Sequence, residues 1–221
     1  MFIPLKDENP TARFPYLTLL LITLNCLIFV FQLFSPQGLP GSVLKMGAIP
    51  YEITHFQTLQ GLPVTRISPI LALVVSMFIH GGLFHLVGNM LYLWIFGNNI
   101  EDFLGPARFI IFYLICGLSA SFTHILFNPN STVPMVGASG AIAGLLGGYF
   151  VLFPAARVIT LVFIWVVPVP AAIILGLWFL MQVLNVGLGG GVAWFAHIGG
   201  FLVGIWLVLM FARRKRVGAF H

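Results

Sequence analysis

Charged side chains are what this sequence has least of. Only 7% of its 221 residues are Asp, Glu, Lys or Arg, and just five are acidic. A water-soluble surface needs about a quarter of its residues charged, so much of this chain must use lipid as its solvent. Cysteine is nearly absent as well. Cys26 and Cys116 both lie inside apolar runs and read as buried, reduced thiols, which argues against a disulfide scaffold or a thiolate metal site. Tandem repeats and a second domain are also missing. No small-x-small cleavage site follows the first apolar run, Tyr16–Phe34, which is too long for a signal-peptide core and reads as a retained span.

Apolar residues fill the space left by charge: 60% of the chain, with a mean hydropathy of +1.06. A membrane span takes about 20 of them to cross about 30 Å of hydrocarbon. Long apolar runs mark six candidates, at 16–34, 82–96, 106–127, 139–153, 158–184 and 194–211. Pro-, Gly- and Asn-rich stretches at 35–68, 97–105, 128–136 and 185–192 separate most of them. The expected fold is all-α: a polytopic bundle of six transmembrane helices over 16–211. A tail, 1–15, precedes it, a long external loop runs from about 35 to 70, and a basic tail, 212–221, follows it.

The basic residues orient this bundle. With the N-terminus in the cytoplasm, Lys6, Arg13, Arg108, Arg157, Arg213, Arg214, Lys215 and Arg216 all lie inside. Only Lys45 and Arg66 lie outside, in the first loop. That distribution obeys the positive-inside rule and puts both termini in the cytoplasm, with the chain multi-pass in the cell (inner) membrane. The run Arg213–Arg216 then reads as a membrane-surface anchor and not as a nucleic-acid patch.

Polar groups in such a background are costly and usually have a job. Span two carries His80, His85 and Asn89, the last two one helical turn apart on one face. Span four opens with Gly137-Ala138-Ser139-Gly140, and span six contains His197 about a turn from its start. The orientation brings all of these near the outer face. From Gly140 to Phe153 span four has only 14 residues, about 21 Å of helix, so Ser139 sits below the outer surface. Irregular backbone at that depth requires protein or a wet cavity beside it. Gly140, Gly144 and Gly148 on span four, and Gly200 and Gly204 on span six, are spaced for close helix contact. Packed together, they would bring Ser139 and His197 within hydrogen-bond reach.

A serine hydroxyl becomes a nucleophile when a base takes its proton, and histidine is suited to that exchange. The Ser139 N–H and the Asn89 and His85 side chains are candidate donors to a developing oxyanion. No aspartate is available: Asp102 is at the cytoplasmic end and Asp7 in the N-terminal tail.

The segments HGGLFHLVGNMLYLWIFG, GASGAIAGLLG and AWFAHIGGFLVG, in that order, resemble the rhomboid intramembrane serine proteases in their bacterial six-span form, over roughly residues 68–210. The resemblance implies a compact rhomboid-like bundle and a Ser139–His197 catalytic dyad. It also implies oxyanion or substrate stabilisation by His85 and Asn89, and a loop before the serine shaped by Gly137. Its expected substrates are single-span membrane proteins, cut near the outer face without cofactor or metal. Gly105 and Arg108, following Glu101, also match the family pattern. Two features depart from it. Ala143 stands where some members carry an aromatic residue that stacks on the histidine, so the resemblance does not supply what orients His197. The first loop lacks a Trp-Arg pair found in some members.

Other readings compete. A catalytically inactive rhomboid-like protein that binds membrane clients would share the fold, although the serine and histidine it could dispense with are both present. A transporter or metal site on His80, His85 and His197 lacks nearby carboxylates and the HExxH spacing. His80 reads as structural, bonding the first loop, and His124 as interfacial. His55 and His221 suggest no role. Trp165, Trp178, Trp194 and Trp206 read as lipid-facing or interfacial anchors. Pro168 and Pro170 are expected to kink span five, either as a packing bend or in a mobile helix that admits substrate.

Overall fold

The computed structural model describes residues 2–61, 64–188 and 191–218, with side-chain surroundings assigned from residue 3 to residue 212 of these. The described chain is mostly helical. Its helices are α1 (Tyr16–Phe34), α2 (Gly38–Met46), α3 (Pro50–His55), α4 (Pro69–Val75), α5 (Leu83–Leu104), α6 (Pro106–Phe127), α7 (Ser139–Leu152), α8 (Ala171–Leu184) and α9 (Trp194–Gly218). By length and composition α1, α6 and the Trp194–Ala212 part of α9 can cross a membrane. A fourth candidate joins Pro69–Phe78 to Leu83–Leu104 through a 75° bend. The helices α7 and α8 are apolar but short, at 14 residues each.

The all-α expectation fails in one place. Residues 158–184 do not form one helical span. Strands β2 (Arg157–Val162) and β3 (Trp165–Pro170) make a hairpin, and helix begins only at Ala171. The expected tail also departs, because β1 (Phe2–Asp7) pairs antiparallel with β2 to give the order β1-β2-β3. Side-chain chemistry explains the change. Val158, Ile159, Thr160, Val162, Val166, Val167 and Val169 are β-branched and stiff, which suits a strand. Pro168 and Pro170 therefore kink no helix. They lie two apart on β3, the edge strand, on the same side of it. Proline has no N–H for the ladder, so that side faces outward and the free edge is blunted.

The basic segment begins inside a helix. Helix α9 continues through it to Gly218, and the side chains of Arg213–Arg216 lie outside the described set. The first loop is ordered by short helices and a buried ion pair. Arg66 Nε donates to both carboxylate oxygens of Glu52 at 2.8 Å, and Arg66 Nη2 donates to the Gly47 carbonyl at 2.8 Å. Backbone pairing of Ala48 with Met135, at 3.0 and 2.7 Å, ties this loop to the segment leading to Ser139.

Three helices build the centre. A Cβ on Gly200 would fall onto the Gly140 carbonyl, one on Gly204 onto the Gly144 carbonyl, and one on Gly147 onto Phe201 backbone. The helices α7 and α9 thus touch backbone to backbone, and α6 closes on the other side with Ala120 against Gly140 and Cys116 against Gly144. Both cysteines are free, Cys116 buried and Cys26 partly so. At the far end of α5, the buried Glu101 carboxylate accepts from the Leu17 and Thr18 amides and from the Thr18 hydroxyl, at 2.8–2.9 Å. It caps the start of α1, which has no side-chain cap of its own.

Candidate active site

The chain segment before α5 is extended because it is held from outside the helix. The Gln32 amide on α1 accepts from the His80 N–H at 3.0 Å and donates to the His80 carbonyl at 3.1 Å. That clamp ends one helix at Phe78 and lets α5 start afresh at Leu83, with His85 and Asn89 on its first turns. His80 is fully buried, and its bonds run from its backbone to α1, not to the first loop as expected. Its ring packs edge-on to His85, with centroids 5.1 Å apart.

Gly137 shows why glycine is needed before the serine. Its φ of +115° is open to few other residues, and a Cβ there would lie 2.7 Å from His85 Nε2 and 3.5 Å from Asn89 Nδ2. Its N–H donates to the Ser76 carbonyl at 2.9 Å. The loop therefore rests against His85 and Asn89 and delivers Ser139 to the first position of α7.

The glycine seam between α7 and α9 then sets the central distance. Ser139 Oγ lies 2.9 Å from His197 Nε2. His197 Nδ1 lies 2.7 Å from Gln182 Oε1 on α8. Gln182 is buried, and its Nε2 donates to the Trp178 carbonyl at 2.9 Å. Trp178 sets its ring 5.8 Å from that of His197, tilted by 39°. Ala143, where a stacking ring was sought, is fully buried beside Gly200 on the α9 seam. His197 takes its ring contacts from Trp178 on α8 and Trp194 on α9.

These groups open into one cavity of about 830 Å³, lined by His85, Asn89, Ser139, Trp178 and His197 among others. Asn89 is buried and its Nδ2 has no hydrogen-bond partner among the described residues. His85 Nδ1 accepts from the Gly81 N–H over a long 3.4 Å, and its Nε2 lies on the Gly137 side. Chemically the cavity offers a hydroxyl bonded to an imidazole, with amide and imidazole donors nearby. That set suits acyl transfer.

All five sequence-selected residues meet here: Ser139, His197, His85, Asn89 and Gly137. His124 also lines the cavity, as do Trp178 and Trp194, two of the tryptophans expected as lipid-facing or interfacial anchors. Trp165 and Trp206 are exposed. Sequence reasoning missed Gln182, Trp178 and Gln32. The signal for the two glutamines was available, since each is an amide inside an apolar run.

Residues 68–214 match a family model described as the Rhomboid domain. The chain is similar to Rhomboid protein 1, mitochondrial, of Saccharomyces cerevisiae, with 31% identity over 160 residues covering 66% of this chain and 44% of that protein. It is similar to RHOMBOID-like protein 2 of Arabidopsis thaliana, with 37% identity over 196 residues covering 84% and 52%. Rhomboid protease GluP of Bacillus subtilis is 33% identical over 148 residues, covering 67% and 27%. The chain thus spans about half or less of the length of these relatives.

Proposed function

The chain belongs to the rhomboid family, and from that premise we propose that it is an intramembrane serine endopeptidase. The observation that carries the reading is the 2.9 Å contact between Ser139 Oγ and His197 Nε2 inside a cavity that also holds Asn89 and His85. In this reading Ser139 Oγ attacks a peptide carbonyl carbon while its proton passes to His197 Nε2. The tetrahedral oxyanion is met by Asn89 Nδ2, His85 Nε2 and the Ser139 N–H at the start of α7. Collapse breaks the C–N bond, and His197 returns the proton to the leaving amine. Water, deprotonated by the same imidazole, then releases the acyl group. No step calls for a metal or cofactor.

The proposed membrane arrangement is a six-span domain over 16–211. The β2–β3 hairpin supplies part of the crossing that α8 is too short to make alone. Both termini lie on the basic, cytoplasmic side of a cell membrane, and the cavity opens toward the opposite face. Substrates are single-span membrane proteins with an unwound stretch near that face.

The test uses protein reconstituted in liposomes with a labelled single-span substrate carrying a helix-breaking residue near its outer end. Discrete cleavage by wild type, lost in Ser139→Ala and in His197→Ala, is the expected result. Cleavage that persists in Ser139→Ala would reject Ser139 as nucleophile.

A further inference from the structure

The dyad leaves one matter open. An imidazole serves as base only if its lone pair, not its proton, faces the serine. Neutral histidine has two tautomers, and the partner of the other nitrogen selects between them. We infer that Gln182 is a positioning residue that makes a third member of the site, fixing His197 in the tautomer with its proton on Nδ1. This inference rests on the protease reading for its kinetic consequences, but its structural content stands apart from it.

The Gln182 Nε2 donates to the Trp178 carbonyl at 2.9 Å. A flipped amide would set oxygen against that carbonyl, acceptor against acceptor. The amide is therefore fixed with Oε1 toward His197 Nδ1, at 2.7 Å. Carbonyl oxygen only accepts, so Nδ1 must carry the proton. Nε2 then holds the lone pair, 2.9 Å from Ser139 Oγ. Gln182 is 6% exposed, so little water competes for Nδ1. The titratable groups that share the cavity with His197 are His85 and Tyr92 from α5 and His124 from α6. No carboxylate lines it among the described residues, so an amide does what a carboxylate does in a triad, without the charge. The lone amide on α8 thereby has a use that its apolar setting demanded.

The experiment compares wild type, Gln182→Leu and Gln182→Glu in liposomes, with Ser139→Ala as control. Gln182→Leu removes the acceptor and should lower kcat by about 10- to 100-fold, with KM and melting temperature near wild type. Gln182→Glu restores an acceptor and should recover activity. Its carboxylate stabilises the imidazolium, so the acid limb of the pH–rate profile should move to higher pH. A merely structural glutamine would give neither the rescue nor the shift. Wild-type kcat and pH profile in Gln182→Leu overturn the inference. If Gln182→Leu fails to fold, Gln182→Glu decides: an unmoved acid limb sinks the idea.

A second readout does not depend on activity. In 15N spectra of histidine-labelled protein, with His197 signals identified by their loss in His197→Ala, Nδ1 should carry the proton in wild type. A proton on Nε2 overturns the inference even if cleavage is robust. A proton on Nδ1 together with cleavage that survives Ser139→Ala would sustain the tautomer assignment and reject Ser139 as the nucleophile.

Discussion

The cavity and the sheet end of this molecule differ in where their carboxylates stand. At the cavity end the ionisable side chains are His85, His124, His197 and Tyr92, carboxylates are absent from the described lining, and Asn89 Nδ2 lies buried with no partner among the described residues. At the sheet end three carboxylates are held by donors. Glu101 accepts three hydrogen bonds, Asp102 accepts from the Ala12 N–H at 2.9 Å, and Asp7 accepts from the Tyr149 hydroxyl at 2.7 Å. A buried polar atom without a partner is a standing cost that a fold keeps only for a reason. A buried carboxylate ringed by donors is a fastener.

The sharpest way to break that contrast is Asn89→Ala. It removes a donor that no other side chain uses, so melting temperature should hold while kcat falls by about 100- to 1000-fold, the range for one oxyanion donor. A large drop in melting temperature would mean that Asn89 belongs with the fasteners. Glu101→Gln is the counterpart at the other end. It weakens charge-assisted bonds to the first turn of α1 and should cost about 1–3 kcal/mol. Thermal or denaturant unfolding in detergent would show this, with specific activity of the folded fraction unchanged.

The smallest effect belongs to Asp7. Burial pushes its carboxyl above the ordinary 3.8, while the Tyr149 hydroxyl pulls the other way. A raised folded value means that the fold favours the protonated form. Its stabilising contribution is full below about pH 3.9 and is lost as pH rises through the raised value. Asp7→Asn should lack this slope. Melting curves from mildly acid to neutral pH should therefore show wild type losing ground to the variant. Parallel curves would leave Asp7 with no part in the pH response.

Much of the site was legible because it rests on rules that hold in any membrane. The bounds of α1 and α6 follow their apolar runs, and α7 ends one residue short of its expected end. The glycine spacing announced that α7 and α9 could meet, and they do. The hairpin was misread because a long apolar run looks the same whether it becomes helix or strand. The β-branched density and the two prolines held the distinction, but hydrophobicity outweighed them. Gln182 and Gln32 were overlooked for another reason. An amide far along the chain declares that it needs a partner without saying which one.

The sequence by itself determined the solvent, the order of the apolar segments, the glycine faces and the residue types from which a hydrolytic site can be made. Those follow from transfer free energy and side-chain size, which are local properties. Only the tertiary structure decided that Gln182 meets His197, that Gln32 clamps the break before α5, and that residues 157–162 pair with the N-terminal strand. Each of these joins groups distant along the chain, and no local preference specifies a partner until the packed helices bring it into reach.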